Sequence, residues 1–321
     1  MSQGEDWRPT ASFEVLKLRA ELLKKLRAFF DARGVLEVDT PALSRAGTTD
    51  VHLASFRIDA AEGSRYLHTS PEFPMKRLLA AGSGDIWQAC KVFRADEAGR
   101  FHNPEFTLIE WYRIGFDHRR LMAEVAELVA ALVPSVAEAP EYLTYREAFE
   151  RHAGIDPFSA KPQDCRDALQ RAEREPLPVS ALDTDGWLDL LAGELVYPAL
   201  GHGRLSFVYD YPVSQAALAR IRRDDPPVAE RFEAFVSGVE LANGFHELAD
   251  PGEQRRRFEC DLERRGADNL PMLPMDEYLL QALGHGLPDC AGVALGLDRL
   301  VMLAAGARSI SEVIAFPVDR A

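Results

Sequence analysis

The stretch FRADEAGRFHNPEFTLIEWY, residues 93 to 112, decides how the chain is read. It closes one apolar run, DIWQACKVFR, and opens another, FTLIEWYRI, so it spans two strands and their connection. A plain hairpin turn needs one or two glycines or asparagines. This connection carries two arginines, a histidine, an asparagine and several carboxylates. An arginine at a strand end offers a planar, permanently charged fork suited to phosphate. Phe106, just into the return strand, is placed to stack on a flat base. By period 2, Phe106, Leu108, Glu110 and Tyr112 share one face. Taken alone, a solvated loop with surface ion pairs explains the same residues.

The rest of the chain limits the choice. Its 321 residues suffice for one large core or two modest ones. A charged fraction of 27% is an ordinary globular composition. No apolar run reaches the ~18 to 20 residues of a membrane span, and MSQGEDWRPT has no basic-then-apolar leader pattern, so a cytoplasmic location is expected. Cys90, Cys165, Cys260 and Cys290 form no CxxC pair, which fits reduced thiols and argues against structural zinc. A net charge of -14 argues against a general nucleic-acid binder.

Working outward, Ser12 caps a helical pattern that ends at Gly34, and VLEV follows as a short strand. VHLASFRI alternates like a strand, and SPEFPMKRLLAAG reads as a short helix after Ser70. A helix is expected over Arg119 to Val133. From 134 to about 200 the pattern is helical and broken by prolines at 140, 157, 162, 176 and 178, which reads as a helical insertion packed on the sheet. RLSFVYDYP is a strand, FEAFVSGVELANGF a hairpin, GEQRRRFECDLERRG a charged surface helix, and CAGVALGLDRLVMLAAG a strand running into a helix. Hairpins with flanking helices and no βαβ alternation predict an α+β fold with a mainly antiparallel sheet, in a single domain over 1–321.

Two further stretches carry chemistry. In GVALGLDRL, residues 292 to 300, Gly292 and Gly296 allow close backbone approach and Asp298 opens a helix bearing Arg299. It has neither the GxGxxG of a dinucleotide fold nor the GK[ST] of a phosphate loop, and tight sheet–helix packing accounts for it equally well. In FEAFVSGVELANGFHEL, a two-residue turn at Ser237-Gly238 would pair Phe235 with Glu240 and leave Glu233 on the same face. Two carboxylates so close repel unless a cation lies between them, and an oxygen-only set near phosphate suits Mg²⁺. A solvated acidic face is the plainer alternative.

Each signal is weak by itself; their order is specific. A helix and strand ending at Pro41, then Phe-Arg, loop and Phe106, then a Gly-rich strand into Arg299, resemble motifs 1, 2 and 3 of the class II aminoacyl-tRNA synthetase catalytic domain. HNPEFT, ELANGFHEL and GLPDCAGVALGLDR resemble the lysyl-tRNA synthetase branch. Within it the chain is most similar to the ligases that join (R)-β-lysine to a lysine of elongation factor P, which lack the N-terminal OB-fold anticodon domain. Motif 2 usually reads Phe-Arg-x-Glu, and here Asp96 stands at the glutamate position.

The resemblance implies a loop folded over ATP, with Arg94 on the α-phosphate and Ala95, Asp96 and Asn103 near the nucleotide. It implies that Phe106 and Arg299 sandwich the adenine, a cation–π arrangement. His102 would help position the phosphates, and Glu240, Leu241 and Gly296 would complete the ATP site. Glu233 and Glu240 match the family's Mg²⁺ carboxylates, and Arg94 and Arg299 its catalytic cations. For the diamino-acid substrate, Glu72 in the Ser70-Pro71-Glu72 turn would hold the amine nearer the carboxylate. Glu247 with Tyr112 would hold the distal one, with Asn243 and Ala294 also lining the pocket. Elongation factor P as protein substrate, β-lysine, a homodimer and no stable tRNA or membrane binding are the implied partners.

Three alternatives belong beside it. A stand-alone amidoligase of the asparagine synthetase A type conflicts with ELANGFHEL. A truncated synthetase that still charges tRNA conflicts with the acidic charge. A silent, amino-acid-binding regulatory paralogue conflicts with intact Arg94, Arg299, Glu233 and Glu240.

Overall fold

The computed structural model describes residues 7–136, 138–174 and 182–321. In chain order the main elements are α1 (Phe13–Asp31), β1 (Leu36–Glu37), β2 (Leu43–Ser44), β3 (Arg57–Ala60), β4 (Gly63–Leu67), α2 (Glu72–Ala80), β5 (Ile86–Phe93) and β6 (Glu105–Ile114). There follow α3 (His118–Leu132), β7 (Glu141–Thr144), α4 (Tyr145–His152), α5 (Pro162–Arg171), α6 (Thr184–Leu191), β8 (Ser206–Pro212), β9 (Ile221–Arg222), β10 (Val228–Val236) and β11 (Val239–His246). The chain closes with α7 (Pro251–Ala267), α8 (Glu277–Gly286), β12 (Cys290–Gly296) and α9 (Leu297–Ala305). The architecture is α+β with mostly antiparallel strand pairs, and the chain forms two compact units, one of residues 1–115 with 249–321 and one of residues 116–248.

In the first unit the strands run in the order β1-β5-β6-β12, with β1 parallel to β5 and the others antiparallel. Ser12 starts α1 by accepting the Val15 N–H at 3.3 Å. Leu22, Leu26 and Phe30, four residues apart, bury one stripe of it. Phe30 stacks on Trp87 of β5 at 4.8 Å and meets Trp111 of β6 edge-on at 5.4 Å. Strand alternation therefore commits Trp87 and Trp111 to the core and turns Gln88, Glu110 and Tyr112 to the other face. That other face is where the candidate site lies.

In the second unit the order is β11-β10-β8-β7, with β9 on β10. Tyr145, Phe149, Trp187 and Leu191 form a buried cluster with Val208, Tyr211 and Phe235, so the 134–200 stretch shares the core of this unit's sheet. The expected hairpin is present: Val236 pairs with Val239, and Ser237 and Gly238 take φ of +52° and +75°, the mirror-image turn that matches strand twist.

The structure corrects the reading in three places. VHLASFRI is a strand only from Arg57; the Asp50 carboxylate accepts the His52 N–H at 2.8 Å and turns the chain before it can pair. The stretch read as helical from 134 to 200 contains strand β7, too short and too close to Pro140 to show a period. Its prolines at 176 and 178 lie outside the described residues. Helix α8 follows a Pro-rich run and is absent from the sequence reading.

Candidate active site

The first unit gathers most of the expected residues at the ends of β5, β6 and β12. Arg94 donates to Glu97 at 2.9 Å, and its guanidinium lies 5.0 Å from the centre of the Phe106 ring. Arg94, not Arg299, is thus the cation over the Phe106 ring in this structure. Arg299 lies 2.9 Å from His102 Nε2. Because a guanidinium can only donate, His102 accepts through that nitrogen. The two ends of the loop are thus each tied to an arginine.

The other loop residues take different parts. Ala95 N–H donates to the Ala54 carbonyl at 2.9 Å, and Asp96 is exposed. The carboxylate beside Arg94 is Glu97, one residue past the position where motif 2 usually carries glutamate. Asn103 is buried; its amide donates to the Glu105 carbonyl at 2.5 Å and its oxygen accepts the Val318 N–H at 3.0 Å. It fastens the C-terminal tail to the loop.

Motif 3 is set from below. Asp298, 2% exposed, takes Arg19 of α1 at 2.5 Å on one oxygen and the Thr107 N–H at 2.7 Å on the other. A buried carboxylate held by a charge and a backbone donor locks the start of α9 against β6, and so aims Arg299. Gly292, Ala294 and Gly296 stand opposite Tyr112, Glu110 and Leu108 in the β12–β6 register. They share the face that carries the polar cluster.

That cluster is more elaborate than the sequence showed. Ser70 Oγ accepts the Glu72 N–H at 2.9 Å and donates to Glu110 Oε2 at 2.7 Å. Tyr112 donates to Glu110 Oε1 at 2.7 Å. Glu72 meets the Lys76 ammonium at 2.5 Å. Pro71 sits at the start of α2 ahead of Glu72. Glu110 was visible by period 2 on the face of Tyr112, and Lys76 by its spacing of four from Glu72; neither signal identified a site by itself.

The second unit holds the remaining carboxylates. Phe235 pairs with Glu240 as expected, and then Leu241 forms a bulge, so that Glu233 stands opposite Asn243. Arg231, two residues before Glu233 on the same strand, donates to it at 2.5 Å. Burial raises the Glu233 carboxyl above its ordinary value, and the charge of Glu240 adds to this against the pull of Arg231. The Asn243 amide oxygen is buried with no hydrogen-bond partner. Glu233, Glu240 and Asn243 offer hard oxygen donors of the kind a divalent ion such as Mg²⁺ takes, with Arg231 already paired to Glu233. Glu247 is 4% exposed, in a bridge to Ala219.

His118, Glu230 and His246 also come together, their ligand atoms within 4.8 Å of one another. Here the charges argue against a metal. Arg222 forks onto Asp210 at 2.7 Å and approaches Glu230 at 3.5 Å, and Arg220 lies 3.7 Å from Glu230. A divalent ion would face the guanidinium groups of Arg222 and Arg220. The cluster is a buried ion-pair network behind β11.

A family model described as tRNA synthetases class II (D, K and N) matches residues 5–320. The chain belongs to that family. Among curated proteins it is 51% identical to the elongation factor P–(R)-β-lysine ligase of Edwardsiella ictaluri, across 100% of both chains. It is 49% identical to the ligases of the same name from Hamiltonella defensa and Salmonella dublin, again across 100% of both chains. The segments read in the sequence as motifs 1, 2 and 3 are α1–β1, the β5–β6 hairpin and β12–α9. Among the described residues no helix is long and apolar enough to cross a membrane.

Proposed function

We propose that this protein is an ATP-dependent ligase that activates (R)-β-lysine, and lysine less well, as the acyl-adenylate and transfers it to the ε-amine of a specific lysine on elongation factor P. The observation that carries this reading is the full-length similarity to ligases of that name. The anionic cluster of Glu72, Glu110 and Tyr112, suited to an ammonium group, supports it. Membership of the synthetase family implies use of ATP with a divalent metal.

The chemistry has two steps. The substrate carboxylate attacks the α-phosphorus of ATP in line, forming the mixed anhydride and releasing pyrophosphate. The lysine ε-amine of the protein substrate then attacks the acyl carbon, loses a proton and expels AMP. Such steps need positioning and charge neutralisation more than a general base. Arg94 would exchange Glu97 for an α-phosphate oxygen, and Arg299, aimed by Asp298, would take the opposite side of the nucleotide. Phe106 would stack the adenine. Glu233 and Glu240 would hold Mg²⁺, which when bound neutralises phosphate charge. Glu72 would receive the amine nearer the carboxylate, and Glu247 the distal one.

We place the protein in the cytoplasm, as a homodimer, with elongation factor P and not tRNA as acceptor. The test is ATP–pyrophosphate exchange across lysine, (R)-β-lysine, asparagine and aspartate, followed by transfer to purified elongation factor P or to bulk tRNA. The expected result is exchange strongest with (R)-β-lysine and label on elongation factor P alone. Efficient tRNA charging at physiological salt, with elongation factor P unlabelled, overturns the reading.

A further inference from the structure

Helix α2 sets Lys76 one turn after Glu72, and the ammonium meets the carboxylate at 2.5 Å. Pairs at this spacing are common on exposed helix faces, where they contribute little. This pair is not exposed. Lys76 is 1% accessible and is flanked on α2 by buried Met75 and Leu79, while the Glu72 side chain keeps 16%. Removing an ammonium from water is unfavourable unless an ionised partner holds it. A methionine would fill much the same volume without that penalty. What the lysine adds is a fixed charge at a fixed place.

The rest of the cluster shows what that charge acts on. The Glu72 backbone is tied through Ser70 Oγ to Glu110, whose second oxygen takes the Tyr112 hydroxyl. The Glu72 side chain is pinned through Oε1 to Lys76.

We propose that Lys76 is a positioning residue: it pins Glu72 so that one carboxylate oxygen meets the substrate amine at one distance from the carboxylate, and thereby helps to select the β-amine over the α-amine. This rests on the reading of Glu72 as the receiver of that amine. α-Lysine and β-lysine carry the same charges and differ in where the amine sits, so a pinned oxygen discriminates between them where a mobile one would follow either. The discrimination is then a matter of geometry held by a buried charge, not of net charge alone.

The experiment compares Lys76→Met, Lys76→Arg and Glu72→Gln in pyrophosphate exchange, titrating (R)-β-lysine, α-lysine and ATP separately, with thermal unfolding in parallel. Lys76→Met is expected to raise KM for (R)-β-lysine roughly ten- to a hundredfold, the range of a lost charged hydrogen bond. It should narrow the β-to-α ratio of kcat/KM while KM for ATP stays within about twofold of wild type. Lys76→Arg keeps the charge but replaces a compact ammonium by a wide planar fork, so it should fold and move the ratio by a smaller factor. A purely structural lysine would lower the unfolding midpoint and leave the ratio unchanged in both variants, and that result overturns the proposal. If Lys76→Met does not fold, the Lys76→Arg ratio decides alone. Glu72→Gln separates the two levels of inference. An unchanged KM for (R)-β-lysine there removes Glu72 from the pocket and takes both readings down. An impaired Glu72→Gln beside unaltered Lys76 variants overturns only the role of Lys76.

Discussion

Ala294 of β12 stands directly opposite Glu110 of β6 in the antiparallel register. Side chains in such pairs are near neighbours, with Cβ atoms about 4.5–5.5 Å apart. The methyl of Ala294 therefore faces the carboxylate that Ser70 and Tyr112 hold. Lysyl-tRNA synthetases typically carry glycine here, and this chain reads Gly292-Val-Ala294-Leu-Gly296. Ala294→Gly is expected to raise activation of α-lysine relative to (R)-β-lysine and to leave the ATP site intact. One methyl is worth about 1 to 3 kcal/mol, or roughly 10- to 200-fold in selectivity. A glycine in a strand lowers stability by only about 0.5–1 kcal/mol, too little to account for such a change. Pyrophosphate exchange with both amino acids on wild type and variant reads the ratio directly; an unmoved ratio leaves the preference to Glu72 and Lys76.

Glu247→Gln should weaken amino-acid activation and spare ATP. The residue is 4% exposed, and the change keeps its shape while removing the charge. A charged hydrogen bond is worth about 1.5 to 3 kcal/mol, so apparent affinity for (R)-β-lysine should fall roughly ten- to a hundredfold. Exchange kinetics identical to wild type would take Glu247 out of the pocket.

The protein is expected to run as a homodimer. Phe13, Leu36 and Leu43 lie in and just after the motif 1 segment and remain 68%, 55% and 48% exposed in the single chain. Apolar side chains left exposed at a helix start and on edge strands are suited to burial against a second copy. Light scattering at micromolar concentration should return twice 35.7 kDa, and the monomer mass would refute the idea.

The ion-pair network behind β11 predicts a specific acid response. Burial works against ionised Asp210, but the hydrogen bonds and charges of His118 and Arg222 outweigh it and hold its carboxyl below the ordinary value. Glu230 is likewise lowered against burial, chiefly by His246. A depressed folded-state pKa stabilises the protein above the unfolded value, about 3.9 for Asp and 4.3 for Glu, and this stabilisation is lost as pH falls through the folded value. Asp210→Asn should cost about 3–5 kcal/mol at pH 7, the range for a buried pair with one partner removed, and much less at a pH acid enough to protonate Asp210 in the folded state. Asp210 sits at φ +61°, which asparagine also tolerates, so the variant removes charge without backbone strain. Urea unfolding at the two pH values measures both differences, and an equal loss at each would contradict the assignment.

Local pattern alone determined a large part of this protein. Period 2 in FTLIEWYRI put Glu110 with Tyr112, the Ser237-Gly238 pair set the β10–β11 turn, and the order of Arg94, Phe106 and Arg299 led to the synthetase family. Each of these depends on neighbours a few residues away, where spacing and turn chemistry are decisive. Tertiary structure decided the rest. Glu97, not Asp96, takes Arg94; Asn103 clasps Val318, 215 residues away; and Leu241 bulges to bring Asn243 opposite Glu233. Lys76 looks in sequence like any helix-surface partner of Glu72, and only packing of α2 buries it. Burial and long-range hydrogen bonds depend on what the rest of the chain brings alongside. That is why the sequence proposes the residues of the candidate site, but not which oxygen each arginine or lysine holds.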